Sequence, residues 1–126
     1  MDEQTTIADL RALVHRFVSD RQWQSFHDPK NLSASIAIEA AELMEIYQWL
    51  TREQALAISQ HPQVRQETCE ELADVLIYCL SLANALEIDI SRAIQEKMAI
   101  NKDRYPPDAS RGRLGRFPED STCPSS

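Results

Sequence analysis

Residues that break helices are scarce in most of this 126-residue chain. Both of its glycines and four of its six prolines fall at or after position 106. Their concentration there predicts a loose tail. In the rest of the chain no β-strand pattern is evident and the apolar residues recur with a helical period, which favours an all-α fold. A chain of this length is expected to form one domain.

Long hydrophobic runs and paired cysteines are also missing. No run of 18 apolar residues occurs, so the sequence predicts no membrane-spanning segment and no membrane partner. The N-terminus, Met1–Gln4, is polar and acidic and does not resemble a signal peptide. The three cysteines have no CxxC spacing, which indicates a reduced, cytoplasmic protein with free thiols.

Positive charge is in deficit, because the formal net charge is −7 at pH 7. Sequence-independent nucleic-acid binding depends on Lys and Arg that neutralise phosphates, so an acidic chain argues against it. Acidity does not exclude a small polyanionic ligand if metal ions mediate the contact. We therefore expect a small-molecule partner and no nucleic acid.

One acidic pattern occurs twice, as Glu39-x-x-Glu42 and as Glu71-x-x-Asp74. Each copy lies in an apolar stretch of helical period, and a spacing of three places both carboxylates on one helix face. Two like charges at ~4 Å repel by about 4 kcal/mol at an effective dielectric of ~20. A fold that gathers these acids must protonate some of them or bind a cation. All-oxygen ligation favours Mg²⁺, with Mn²⁺ as a substitute.

A helical wheel separates each acidic helix into an apolar stripe and an acidic stripe beside it. The predicted core stripes are Ile36, Ala40, Leu43, Tyr47 and Leu50 on the first helix, and Leu72, Val75, Leu76, Cys79, Ala83 and Leu86 on the second. Trp49 falls on the first acidic stripe and Tyr78 on the second. The repeated design indicates a shared site, although either pattern alone is also typical of surface acids on an ordinary amphipathic helix.

Cap residues and prolines predict the other helix boundaries. A first helix is capped by Thr5 or Thr6 and runs to about Arg21, and the second helix starts at Asn31 or Ser33. Thr51 caps a short extra helix, and a long helix spans about 63–85. Asp89 or Ser91 caps a last helix, which runs to about Arg104. The domain is predicted to span 1–105. Residues 106–126 are predicted to form a flexible tail whose arginines could cover a ligand.

The last helix carries Lys97, Asn101 and Arg104 at i, i+4 and i+7, on one face. Arg104 could grip phosphate oxygens with a bidentate fork, and Lys97 could act as a point charge. Cations near a helix C-terminus also complement the helix dipole, so this pattern alone does not require a ligand.

Taken in order, Glu39-x-x-Glu42, Glu71-x-x-Asp74 and Lys97-x-x-x-Asn101-x-x-Arg104-Tyr105-Pro106 resemble the MazG-like all-α nucleotide pyrophosphohydrolases. The stretch Trp23–Leu32, together with Tyr47-x-Trp49, is similar to the dCTP pyrophosphatase branch. The resemblance implies a four-helix-bundle-type fold and a homo-oligomer, either a dimer or a dimer of dimers. It also implies hydrolysis of a dNTP, dCTP or a modified dCTP, to the monophosphate and pyrophosphate, which would clean the nucleotide pool.

The same resemblance assigns residue roles. Glu39, Glu42, Glu71 and Asp74 would be the catalytic ligands of Mg²⁺. Substrate binding would fall to Trp23, His27, Lys30, Asn31, Trp49, Tyr78, Lys97, Asn101, Arg104 and Tyr105, with the two tryptophans walling the base pocket and Tyr78 near the sugar. Ile38 stands where several relatives carry a further glutamate. The group that activates the attacking water is therefore open between Glu39, Glu42 and a metal-bound hydroxide.

Other functions stay open. The same fold could act on another triphosphate such as dATP or dUTP, because small pocket changes are worth only ~1–3 kcal/mol. A non-catalytic helical interaction module would show similar amphipathic helices, although the four intact acids argue against it. A di-iron carboxylate bundle is disfavoured, because no glutamate is followed by histidine at i+3.

Overall fold

The computed structural model describes residues 1–112, which form helices joined by short loops with no strand in that range. The α-helices in chain order are α1 (Ile7–Asp20), α2 (Pro29–Tyr47), α3 (Arg52–Leu56), α4 (Pro62–Leu86), α5 (Ile90–Arg104) and α6 (Pro107–Ser110). Two 3₁₀ turns, Gln24–Phe26 and Ile58–Gln60, occupy connections between them. The predicted all-α class is confirmed.

Two compact units divide the chain, Met1–Ile90 and a second unit that begins at Ser91. Within the first unit α4 is the central helix, because α2 packs along it most extensively and α1 packs against it as well. The hydroxyls of Tyr47 and Thr68 lie 2.6 Å apart and join the end of α2 to the early part of α4. The two helices therefore run antiparallel.

Local sequence sets where α1 and α2 begin. Thr6, one of the two predicted caps, accepts a hydrogen bond from the Asp9 amide at 3.1 Å, and the Asp9 carboxylate accepts one from the Thr6 amide at 2.8 Å. The predicted start of α2 at Asn31 or Ser33 is wrong. Asp28 caps this helix and Pro29 takes its first position, where a missing N–H costs nothing.

Arg11 of α1 closes the C-terminal end of α4. Its guanidinium donates to the carbonyl oxygens of Ala83 and Ile88 at 3.3 and 2.6 Å and to Asn84 Oδ1 at 3.1 Å. Asn84 Nδ2 donates back to the Arg11 carbonyl at 3.0 Å. The Ala83 carbonyl also accepts from the Ile88 amide at 2.9 Å, so Arg11 adds a second donor there. Because a helix C-terminus carries partial negative charge, the cation stabilises this end of α4.

Burial corrects the predicted core stripe of α4. The buried apolar residues among 1–112 are Val14, Val18, Leu32 and Ala83. Val75, Cys79 and Ala83 of the predicted stripe are half-buried or buried, but Leu72, Leu76 and Leu86 are 47%, 53% and 50% exposed. The neighbouring stripe of Glu71, Asp74 and Tyr78 is half-buried as well. The buried surface of α4 therefore includes the acidic stripe, and the three leucines are left at its exposed edge.

The predicted stripe of α2 agrees better with the structure. Ile36, Leu43, Tyr47 and Leu50 are half-buried, and only Ala40 of that stripe is exposed. Glu39 is half-buried beside them. The inner face of α2 is therefore mixed, with apolar and acidic side chains together.

Three further predictions concern the C-terminal tail, the cysteines and membrane-spanning helices. In the predicted tail the structure describes the short helix α6, and Arg113, Arg116 and Cys123 lie outside the described residues. Cys69 and Cys79 are free thiols. Within 1–112, none of the helices combines the length and the apolar character needed to cross a bilayer.

The capping box of α1 gives a matched pair of variants. Thr6→Ala removes the side chain that accepts from the Asp9 amide, and it should lower the free energy of unfolding by about 1 kcal/mol. Thr5→Ala, one residue earlier and outside the box, should change it much less. Urea unfolding of both variants measures this difference, and equal losses would contradict the assignment of the cap.

Candidate functional site

Three carboxylates from two helices converge between α2 and α4. Glu39, Glu42 and Glu71 each offer one oxygen, and these oxygens lie within 4.8 Å of one another. Glu39 and Glu71 are half-buried, whereas Glu42 is exposed. The spacing of three on α2 and the antiparallel packing together produce the cluster that the repeated pattern predicts.

Asp74, the fourth predicted acid, follows Glu71 by about one turn of α4 and is half-buried. It borders the group of three, and its negative charge raises the pKa of both Glu39 and Glu71. All four predicted acids therefore influence one another electrostatically.

Burial and repulsion shift the titration of this group. Desolvation is the largest cause that raises the pKa of Glu39 to about 7, followed by its hydrogen bond to Glu42 and by the charges of Glu42, Asp74 and Glu71. Desolvation also raises the pKa of Glu71, with the charge of Glu42 as the next cause. Both glutamates are thus placed where a proton or a cation stabilises them.

The donor atoms fit a hard divalent cation. Glu39 Oε2 and Glu71 Oε2 are buried and have no hydrogen-bond partner within the protein. A buried carboxylate oxygen without a partner destabilises the fold, because its hydration has been lost without replacement. A group of carboxylate oxygens within one coordination shell is the ligand type that Mg²⁺ prefers.

A cavity of about 520 Å³ lies beside the acids, and Asp74 is part of its wall. Most of the wall is apolar or aromatic and comes from α1, from α4 and from the loop after α1: Leu13, Val14, Phe17, Val18, Trp23, Ile77 and Tyr78, with His27 and Ser81 as polar members. An apolar cavity with a few polar groups is the usual form of a small-molecule site. We call it the aromatic cavity.

Ring geometry suits this cavity to a flat ligand. Trp23 stands edge-on to Phe17, with ring centroids 5.8 Å apart and planes at 76°. Tyr78 and His27 face each other at 6.4 Å with planes at 32°. Arg21 covers the Phe17 ring, its guanidinium carbon 3.6 Å from the ring centroid, and so stiffens this wall. Such faces can stack on planar heterocycles.

Some of the predicted ligand-binding residues of the first unit line the aromatic cavity, and others lie outside it. Trp23, His27 and Tyr78 line the aromatic cavity. Trp49 follows α2, is 86% exposed and is not among the lining residues. It shares a wheel stripe with Glu39 and Glu42, but α2 ends at Tyr47, so the stripe no longer fixes its direction.

Lys30 and Asn31 lie in the first turn of α2, and both are exposed. The Asn31 side-chain amide donates to Asp28 Oδ2 at 2.8 Å and to the Phe26 carbonyl at 3.4 Å. Asn31 therefore holds the loop that carries His27 and Trp23, and this structural role was not predicted.

The remaining predicted residues belong to the second unit. Lys97, Asn101 and Arg104 lie along α5, with Asn101 half-buried and the two cations exposed. Tyr105 follows the helix. Their contribution to a ligand site stays a prediction.

Two features of the cavity were missed in the sequence. Val14 and Phe17 of α1 line the cavity, and neither of them was assigned to a site from the sequence. Ser81 was overlooked, although one serine within the apolar run 75–83 was a visible signal. It is the one buried polar residue among 1–112.

Known proteins share this sequence and this fold. The sequence profile of the MazG-like family matches residues 34–114. The dCTP pyrophosphatase 1 of Rattus norvegicus is 38% identical over 112 residues, which cover 89% of this chain and 66% of the rat protein. The Homo sapiens protein of that name is 37% identical over 114 residues, with 90% and 67% covered. The chain thus spans about two thirds of the length of these relatives.

A phage protein and an archaeal crystal structure are also similar to this chain. A dATP/dGTP diphosphohydrolase of Cyanophage S-2L is 42% identical over 52 residues, which cover 41% of this chain and 50% of the phage protein. The crystal structure of a pyrophosphatase from Archaeoglobus fulgidus superposes with a TM-score of 0.71 and 40% identity, covering 79% of this chain and 91% of that one.

The raised pKa of Glu39 predicts a pH-dependent stability without divalent cations. Between the ordinary value of 4.5 and about 7, the folded chain holds a proton that the unfolded chain releases. The free energy of unfolding should therefore fall as pH rises through this window. Thermal melting in EDTA at steps across the window measures the fall. Glu39→Gln should remove much of it and Mg²⁺ should reduce it, whereas an equal fall in Glu39→Gln would contradict the assignment.

Proposed function

The chain belongs to the MazG-like family, and we propose that it hydrolyses a deoxynucleoside triphosphate, dCTP or a modified dCTP, to the monophosphate and pyrophosphate. The observation that carries this proposal is the carboxylate cluster beside the aromatic cavity, with Asp74 common to both regions. A nucleoside triphosphate, with its phosphates at one end and a flat base at the other, needs such a pair of neighbouring environments. The names of the rat and human relatives support the choice of dCTP.

The four acids would hold Mg²⁺, with Mn²⁺ as a substitute. Support comes from the two buried glutamate oxygens without partners and from the all-oxygen donor set. The bound cation would offset the negative charge of the acids and of the triphosphate, and it would polarise the phosphoryl oxygens.

The chain's own residues would orient the substrate and move the proton. Trp23 and Tyr78 would hold the base against the cavity wall, and their apolar surroundings would exclude water from it. Glu39 and Glu42 are the two carboxylates that we propose as acceptors of the proton from the attacking water. Both lie in the cluster, Glu39 half-buried and Glu42 exposed.

The phosphates would be bound by residues of α5 and its end. Lys97 and Arg104 supply positive charge, while Asn101 and Tyr105 supply neutral donors. The order of these residues after the two acidic pairs supports this role, since it is the order of the family motif. Lys30, exposed at the start of α2, is a further cation that we assign to the substrate.

The phage relative favours a second candidate substrate. Its name records hydrolysis of dATP and dGTP, and its similarity to this chain is 42% over 52 residues. A cavity of about 520 Å³ lies within the range of about 300–1,000 Å³ that accommodates whole small molecules, so its volume alone does not select a pyrimidine. Turnover of a panel of dNTPs and NTPs, with products separated by chromatography, decides between the candidates. No turnover of any triphosphate would favour the non-catalytic interaction module.

We also propose that the chain acts as a homo-oligomer, a dimer or a dimer of dimers. Leu72, Leu76 and Leu86 form an exposed apolar stripe on α4, and Trp49 is exposed as well. Exposed leucines on a central helix are typical of a surface that a partner covers. The free thiols of Cys69 and Cys79 support a cytoplasmic location.

Removing one ligand charge should stop turnover and spare the fold. We expect Glu42→Gln and Asp74→Asn to lower kcat by on the order of 100-fold or more, because each weakens cation binding and positioning. Glu45→Gln is the matched control, since Glu45 is exposed on the same helix and is outside the cluster. Coupled detection of pyrophosphate measures the rate. Near-normal kcat in either variant, or release of orthophosphate with a nucleoside diphosphate, would contradict the proposal.

A charge on the leucine stripe should reduce the assembly. The wild-type chain is expected to sediment as a multiple of its 14.4 kDa mass, and Leu76→Lys should shift it toward the monomer. Glu67→Lys, an exposed change on the same helix but off the stripe, should leave the assembly intact. Analytical ultracentrifugation measures both. A monomeric wild type would contradict the oligomer proposal and leave the chemistry untouched.

A further inference from the structure

Ser81 carries a buried hydroxyl without a partner. The residue is 5% exposed, and its Oγ has no hydrogen-bond partner within the protein. A helical serine or threonine usually satisfies its hydroxyl on the carbonyl four residues earlier. Thr68 of the same helix does so, donating to the Val64 carbonyl at 2.8 Å. The Ser81 hydroxyl does not, and an unsatisfied buried hydroxyl costs about 1–3 kcal/mol.

The position of Ser81 shows what its hydroxyl can reach. Ser81 lines the aromatic cavity, and it also lines a second cavity of about 370 Å³ with His15, Gln24 and Asn84. His27 is shared by the two cavities in the same way, and its Nδ1 is a second buried atom without a partner. Two buried polar atoms without partners therefore belong to residues that line both cavities, and contact with a ligand requires the Ser81 side chain to turn toward the cavity.

The geometry of α4 orders these groups along one line. Asp74, Tyr78 and Ser81 are separated by four and three residues, so they share one helix face, and the whole span is about 10 Å. The carboxylate lies at one end, the aromatic ring in the middle and the hydroxyl at the other end. A nucleotide whose phosphates lie near the acids would place its base along Tyr78 and the far edge of that base toward Ser81.

We propose that Ser81 is a specificity-determining residue whose hydroxyl hydrogen-bonds a polar edge atom of the substrate's base, with His27 beside it. The identity of the ligand as a nucleotide rests on the proposed function. A hydroxyl donates to a ring carbonyl or accepts from an exocyclic amino group, and a neutral imidazole nitrogen likewise takes either role. A base without a matching atom leaves both buried groups unsatisfied, which is the strongest way for a site to reject a ligand.

The proposal is tested by how much the binding affinity differs between nucleotides with different bases. Binding of dCMP, dTMP and dAMP is measured by calorimetry for the wild type and for Ser81→Ala, so that no turnover is needed. Ser81→Ala should weaken the best-bound monophosphate by about tenfold and leave the worst-bound one almost unchanged, so the spread narrows. Ser33→Ala is the control, because the exposed Ser33 hydroxyl donates to the Lys30 carbonyl in α2 and lies outside both cavities.

Thermal melting separates recognition from a structural role. Removing a hydroxyl that has no partner should leave the ligand-free melting temperature of Ser81→Ala unchanged or raised. A lowered melting temperature with an equal loss of binding for all three bases would overturn the inference. The same base-selective loss in Ser33→Ala would overturn it as well.

Hydrolysis of the dNTP panel by the same variants distinguishes the proposed hydrolase function from the proposed role of Ser81 in base selection. Turnover by the wild type with an unchanged base preference in Ser81→Ala overturns the inference alone. No turnover of any triphosphate, together with base-selective loss of monophosphate binding in Ser81→Ala, overturns the proposed function and supports the inference. A wild type that neither binds a monophosphate nor cleaves a triphosphate overturns both.

Discussion

Negative charge held between α2 and α4 is the constraint on which the rest of this structure depends. These two helices form the most extensive contact in the described chain, and acids from both meet within it. Desolvation and repulsion raise the pKa of Glu39 and Glu71, so full ionisation of the cluster is disfavoured in the folded chain, and a proton or a cation would stabilise it. The Mg²⁺ that we propose would supply that charge.

The same constraint determines what α4 shows to its surroundings. A helix presents one face to a given neighbour, and the acidic stripe occupies the face toward α2. Leu72 and Leu76 of the neighbouring stripe stay about half exposed, whereas Ala83 of that stripe is buried. An acidic inner face and exposed leucines thus follow from one rotation of the helix. The proposed metal centre and the proposed assembly are two consequences of it.

Local signals in the sequence determine much of this fold, and packing determines the rest. Spacings within one helix predict that Glu39 and Glu42 share a face, and the Thr6 cap is likewise readable from the sequence. The rotation of α4 about its axis cannot be predicted from the sequence. The stripe that begins at Leu72 and the stripe that begins at Glu71 both have helical spacing, and only packing against α2 determines which one is buried. Trp49 illustrates the same limit, since a stripe has no meaning beyond the end of α2. Asp28-Pro29, by contrast, is a local start signal, an Asp cap followed by proline at the first helical position, that can be identified in the sequence.

The arrangement along α4 separates chemistry from recognition. Asp74 belongs to the acids, and Ser81 lies two turns farther along, in the wall of the second cavity as well. A side-chain change near Ser81 or His27 can alter the fit of a base without moving any carboxylate. The names of the relatives record different bases, dCTP in mammals and dATP or dGTP in a phage, on chains that match this one. Under the roles that we propose, base preference would depend on the far end of the cavity, while the acids would keep one reaction.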